Sequence, residues 1–318
     1  MKKMLSILGI TVLIFVLTAS SAHAREISIW RMGTGGMTGT SFLTGSAVAL
    51  MINEKLDGVR AAAQATNGSV DNVFLIGDGE IDMGWINSTT VRQAVEGVGS
   101  FDEPKPFLRG IGWVMNQTLH IVVNNNSGIE TVEDLRGRRH SVGAMGSGTE
   151  VNVVAVLDLF GIGEDEFTRL HSSTAEAWDQ VVSGHSEAFI SFTTIGGASV
   201  TDALAQGSTR LLQLTSEQVQ RLVDEHPQFA FQEIPGGTYR DFPYTIYTIA
   251  SPMLLVVHED ISEECVYIFT KAFFENYDFL VGQSMLLEPA RPENSLLGMP
   301  VELHPGAARF LREIGVLQ

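Results

Sequence analysis

The 318-residue chain carries 37 acidic against 20 basic side chains, a formal net charge of −17, with 44% hydrophobic residues. That fraction supports sizeable cores, whereas so acidic a surface argues against nucleic acid or anionic lipid as a partner, since both would be repelled. A single cysteine, Cys265, excludes a disulfide framework within the chain; it sits in an apolar helical run and reads as a buried structural thiol.

Residues 1–24 have the layout of a secretory signal: Lys2 and Lys3, an apolar run to Leu17, and Ala22-His23-Ala24 as a small-x-small cleavage site. Cleavage after Ala24 would release a periplasmic protein of 318 − 24 = 294 residues, with no cysteine next to the site for a lipid anchor. Beyond it, short β-branched runs alternate with helical patterns. "EISIW" is a strand, followed by a glycine turn at 33–40 and a helix through Phe42, Ala49, Ile52 and Leu56. "VRAAAQA" is a second strand, followed by "TNGS" and a helix through Val70, Val73 and Phe74. "IDMGWI" is a third, closed by "NSTT" and a helix through Val91 and Val95.

The alternation then restarts. "LHIVVNNNSG" is a strand, "TVEDLRGRR" a short helix ending at Gly137, and "HSVGAM" a strand leading through "GSGT" into a helix through Val153, Val156, Leu157 and Phe160. "EAFISF" is another strand with "TTIGG" and a helix behind it. "IYTIASPMLLVVHED" reads as long strands returning to the first unit, and one amphipathic helix pairs Val266, Phe269, Phe273, Tyr277 and Leu280. Two αβ units in series predict an α/β chain in two lobes, each with a largely parallel sheet and helices on both faces. The lobes are expected at 25–124 with 213–318, and at 125–212.

The turns at the ends of the strands are the most regular feature. They hold Gly36-Met37-Thr38-Gly39-Thr40, Asn67-Gly68-Ser69 and Asn87-Ser88-Thr89, then Ser147-Gly148-Thr149 and Thr193-Thr194. In open αβ sheets ligands bind outside the carboxyl ends of the strands. Helix starts there present unpaired amides and a positive dipole end, suited to an anion. Any one such turn is explained by helix capping alone; five on one edge point to a shared ligand site.

Other chemistries find less support. Gly33-x-Gly35 starts like a dinucleotide fingerprint, but Thr38 stands at the third small position, and no Gly-Lys-Ser/Thr comes after it. "GAMGSGT" fails the nucleophile-elbow spacing around Ser147. The histidines are scattered without metal-ligand spacing, so neither a metal nor a cofactor is expected. His304 reads as a helix-entry residue before Pro305, and Asp78, Glu80 and Asp82 as a solvated face. The chain is therefore expected not to be an enzyme, the runner-up being a secreted hydrolase or transferase on the same fold. No arginine lies inside the turns, although Arg31 and Arg92 are near them.

"GTGGMTGTSF", "TNGSVDNVFLIGDGEIDMGW", "SGIETVEDLRGRRHSVGAMGSGTEVNVVAVLDLFGI", "IPGGTYRDF", "LLVVHEDISEECVYIFTKAFFEN" and "LHPGAARFLREIG" succeed one another along the mature chain. In this order they resemble the TAXI-type solute-binding proteins of tripartite ATP-independent periplasmic (TRAP) transporters. The resemblance implies a bilobed periplasmic-binding fold whose lobes close on a small anionic solute, such as glutamate, a related C4–C5 dicarboxylate or a 2-oxo acid. It also implies delivery to TRAP membrane permease subunits; a sensor subunit signalling to a membrane receptor is the alternative. Gly36, Thr38, Gly39, Thr40, Ser41, Asn67, Ser69, Asn87 and Ser88 would bind from the first lobe. Ser147, Gly148, Thr149, Thr193 and Thr194 would close from the second. The chain departs from the pattern at Ser41, where an aromatic residue is common, at Asn87-Ser88-Thr89 in place of Gln-Ser-Asp, and after the fifth strand, where Gly-x-Pro-Asn is missing.

Overall fold

The computed structural model describes residues 24–318, so all but the last residue of the expected signal sequence lies outside it. Three βα units come first: β1 (Ile29–Gly33) and α1 (Thr40–Lys55), β2 (Arg60–Gln64) and α2 (Ser69–Gly77), β3 (Met83–Asn87) and α3 (Ser88–Glu96). The long strand β4 (Leu108–Asn124) leads to three more: β5 (Arg139–Gly143) and α4 (Gly148–Leu159), β6 (Thr168–His171) and α5 (Thr174–Val182), β7 (Ala188–Thr193) and α6 (Ala198–Ala205). Then come β8 (Thr209–Leu212), α7 (Ser216–Glu225), β9 (Ala230–Ile234) and the second long strand, β10 (Ile246–His258). Helices α8 (Glu263–Glu275), α9 (Tyr277–Gln283) and α10 (Pro305–Glu313) complete the chain.

The described strands form one curled sheet in the order β2-β1-β3-β10-β4-β7-β5-β6, with β8 added to β4 and β9 to β10. Two parallel triplets flank the pair β10 and β4, which runs antiparallel to its neighbours. The expected parallel sheets are therefore joined by a mixed centre. β4 lies against β10 from Leu108 to Thr118 and against β7 from Thr118 to Val123. One strand thus serves both halves, and β10 returns the same way. Helices cover both faces of each half. Trp30, Met32, Met51, Trp85 and Phe269 pack on one face of the first triplet, and Val73, Ile76, Ile86 and Val91 on the other. Leu119, Val142, Val153 and Ile190 and then Val122, Phe189 and Val200 do the same in the second half. Leu214, Val219, Leu222 and Phe229, expected with the first lobe, sit in this second pair of cores. The chain is thus α/β, as expected, with a mixed sheet.

Local chemistry explains the helix starts. Asn87, Ser147, Ser173, Thr215 and Ser262 each cap a helix with a side-chain oxygen. His304 does so through Nδ1, accepting from the Gly306 amide at 3.2 Å ahead of Pro305, as its sequence position suggested. Three expectations need correcting. "TVEDLRGRR" yields only a 3₁₀ turn at Glu133–Leu135. The last amphipathic helix breaks at Asn276 into α8 and α9. Cys265 is half-buried at the edge of the core; its sulfur accepts from the Ile27 amide at 3.2 Å.

Candidate functional site

The two halves meet over a cavity of about 330 Å³ at the carboxyl ends of the parallel strands. Four helices, α1, α2, α4 and α5, begin on it, each coming directly after a strand of one of the triplets. Of the residues expected to bind, Gly36, Thr38, Gly39, Thr40, Ser41, Asn67, Ser69, Ser147, Gly148, Thr149 and Thr193 line this one cavity. Three do not. Asn87 is fully buried behind the wall, where its Oδ1 accepts from the Thr90 amide at 2.8 Å. Ser88 is buried as well, away from the cavity, and donates to the Gly298 carbonyl at 2.5 Å. Thr194 lies past the lining, its carbonyl accepting from the Gly197 amide at 3.0 Å.

Several lining residues were not read from the sequence. Trp85, Phe189, Phe192 and Met253 make an apolar floor, while Gln117, Ser173, Thr174 and Ser191 add polar groups. The Ser173 turn carried a legible signal, the capping box Ser173–Glu176. The floor residues carried none, because strands buried on both faces show no alternation.

Asn72 builds the first-half wall. Its Nδ2 donates to the carbonyls of Thr34 and Trp85, both at 3.0 Å, and its Oδ1 accepts from Thr66 Oγ1 at 2.8 Å. One buried amide therefore ties the ends of β1 and β3 to the turn after β2. Across the cleft, the Val70 amide donates to the Gly146 carbonyl at 3.1 Å. Gly68 has φ +116°, a region that disfavours any side chain, and a Cβ there would come within 3.3 Å of Ser147 Cα. The lips of the cleft are in contact.

A second-half turn is held from behind by a buried relay. His120 Nδ1 donates to the Thr118 carbonyl at 2.9 Å, so its Nε2 accepts from Tyr239 Oη at 2.7 Å. Tyr239 Oη in turn accepts from the Gly196 amide at 3.1 Å, fixing the turn after Thr193 and Thr194. Burial drives the His120 pKa down to about 4, so the ring is neutral; it also raises that of Tyr239.

Neither nearby arginine reaches the cavity. Arg92 pairs with Glu96 at 2.9 Å and Gln228 at 3.1 Å. Arg31 grips Asp82 through Nε at 3.0 Å and Nη2 at 2.7 Å, with Arg25 3.2 Å from the same carboxylate. Asp82, expected on a solvated face, is 1% exposed; the carboxylate raises the Arg31 pKa by hydrogen bonding. Arg31→Met should therefore lower stability in urea unfolding by about 2–3 kcal/mol without changing ligand affinity. The loss falls short of the roughly 3–5 kcal/mol for a broken buried pair because Arg25 remains.

The sequence matches the NMT1-like family over residues 32–315. Among solved structures, it is similar to a protein of Bordetella bronchiseptica RB50 (15% identity, 91% of this chain and 81% of that one, TM-score 0.56). PhnD1 of Prochlorococcus marinus in complex with methylphosphonate is 12% identical over 82% and 90% of the two chains, with a TM-score of 0.55. A putative L-cystine ABC transporter protein of Listeria monocytogenes is 13% identical over 83% and 98%, with a TM-score of 0.52. At such identities these likenesses establish the fold, and the family comes from the match across most of the sequence: the chain belongs to the NMT1-like family.

Proposed function

We propose that the protein is a periplasmic solute-binding protein that captures a small organic anion between two lobes and hands it to a membrane permease of the TRAP type. The observation that carries this reading is the cavity itself. It has the size of a small-molecule site, is walled by hydroxyls and helix N-termini, and has no acidic, basic or histidine side chain in its lining that could act in catalysis. Methylphosphonate, held by the Prochlorococcus protein of similar fold, is also a small oxyanion. The motifs shared with TAXI-type proteins support the transporter assignment and a carboxylate as the ligand. Packing supports a first lobe of 25–118 with 251–318 and a second of 119–250, the crossing points of β4 and β10 forming the hinge. Closure is a hinge motion that ligand binding favours.

The test is a thermal-shift screen of small carboxylates and methylphosphonate, then calorimetry, since a ligand of the folded state raises the melting temperature. Thr149→Val should weaken binding by about 1.5–3 kcal/mol, a roughly 10- to 100-fold rise in Kd. Its unfolding free energy should hold within about 0.5 kcal/mol, because the side chain lines the cavity. An unchanged Kd removes Thr149 from the site. Stabilisation by cationic or neutral compounds alone would overturn the anion reading.

A further inference from the structure

We infer that the cleft is built for a monocarboxylate with an uncharged tail, its one carboxylate seated at the start of α1, and that it selects against α-amino acids and dicarboxylates. The inference rests on the solute-binding reading above and narrows it.

The four helix N-termini at the cavity are not equivalent. The first turn of α2 holds Asp71, which accepts from the Asn67 amide at 3.0 Å. That of α4 holds Glu150, which accepts from the Gly146 amide at 2.8 Å, and that of α5 holds Glu176, which accepts from the Ser173 amide at 2.8 Å. Each of these three positive ends already has a carboxylate of the protein's own. Only α1 differs among the four. It starts on Gly39 with no side-chain cap and has no acid in its first turn, so its amides and dipole end remain available to a carboxylate from outside.

A second observation points the same way. Ser41, in that first turn, is 7% exposed, and Ser191, on β7, is 3% exposed. Both line the cavity, and neither hydroxyl takes part in a hydrogen bond among the described residues. These hydroxyls open onto the cavity, where a ligand carboxylate and a neighbouring oxo or hydroxyl group would take up their free hydrogen-bonding capacity. The floor of Trp85, Phe189, Phe192 and Met253 then receives the rest of the ligand.

The same composition penalises extra charge. An ammonium group next to the seated carboxylate would meet no carboxylate in the lining and would face the one uncompensated helix start, that of α1. A second carboxylate would meet either the apolar floor or helix starts that Asp71, Glu150 and Glu176 already neutralise. The formal charge of −17 opposes a dianion more than a monoanion before contact.

Three acids of equal chain length separate these effects by calorimetry at pH 7.5: 2-oxopentanoate, L-norvaline with its ammonium, and 2-oxoglutarate with its second carboxylate. 2-Oxopentanoate is expected to bind at least tenfold more tightly than either of the others. L-Norvaline or 2-oxoglutarate binding as tightly as 2-oxopentanoate overturns the selectivity while leaving the carboxylate-binding reading intact. Binding of none of the three overturns that reading and this inference with it. Ser41→Ala should raise the Kd for 2-oxopentanoate about five- to tenfold, and Ser41→Asp, which places an acid at the α1 start, should abolish binding with the far-ultraviolet circular dichroism preserved. Wild-type affinity in the Ser41→Ala variant overturns the seat at α1.

Discussion

Replacing Gly148 with valine should raise the Kd for the ligand about 100-fold while leaving both halves folded. Gly148 opens α4 and lines the cavity. A Cβ there would overlap Asn87 Nδ2 and lie 2.5 Å from Ser69 Oγ. Neither neighbour can step aside cheaply. Asn87 caps α3, accepting from the Thr90 amide at 2.8 Å, and its own amide donates to Ser69 Oγ at 3.1 Å. Backing either away would undo the cap or the joint between β3 and α2. Overpacking costs about 1–3 kcal/mol, and the branched side chain lies at the upper end.

The cost falls on one state only. Ser69 and Asn87 belong to the first half and Gly148 to the second, so separating the halves relieves the overlap. The nearest atoms that a Cβ on Gly148 would meet all belong to Asn87 and Ser69 of the first half, and its φ is not in the region reserved for glycine, so the substitution leaves the packing within the second half intact. When the closed form becomes rarer, apparent affinity falls by the same factor. About 3 kcal/mol corresponds to roughly 100-fold. Calorimetry reads the affinity, and small-angle scattering should show the variant staying extended at ligand concentrations that compact the wild type. Affinity within fivefold of wild type would mean that the lips part without affecting the site. Gly148→Ala, with one methyl, should show a smaller loss of the same kind.

The surroundings of Gly148 show what the sequence could and could not convey. Ser, Thr, Asn and Gly after the strands marked the helix starts that gather around the cavity, because these residues cap the free amides there. Which face of the wall a residue takes was not visible. Asn87 stands in the same pattern as Asn67, yet it faces inward as a stop behind Gly148. Asp82 looked like one of three surface acids until the parallel pairing of β1 with β3 brought Arg31 onto it. Registers of this kind join residues some fifty positions apart and leave no local trace. The long strands were also half hidden. Gly110 and Gly112 interrupt the β-branched pattern of β4, and only pairing with β10 makes 108–124 continuous. Trp85 and Met253, given no role in the sequence beyond their strands, belong to a core and also line the cavity.

Acid should destabilise the protein well before its carboxylates titrate. His120 and His140 both have folded-state pKa values pushed down to about 4 by burial, against about 6.5 in an unfolded chain. Between these values the unfolded chain binds protons that the folded one refuses. Stability is therefore complete above pH 6.5 and is lost as pH falls towards 4, by about 1.4 kcal/mol per pH unit for each ring. Burial also lowers the pKa of His226 and His304, which steepens the decline. Urea unfolding at pH 7.5, 6, 5 and 4.5 should show a loss of several kcal/mol over this window. The two rings differ in a way that allows them to be separated. His120 is held by the Thr118 carbonyl and Tyr239, whereas neither nitrogen of His140 has a partner among the described residues and its ring stacks on Phe167 at 4.5 Å. An aromatic hydrocarbon suits that position, so His140→Phe should keep or raise stability at pH 7.5 and reduce the slope by about 1.4 kcal/mol per pH unit. A slope unchanged by His140→Phe would mean that the imidazole is protonated as readily in the fold as outside it, contrary to its burial against Phe167.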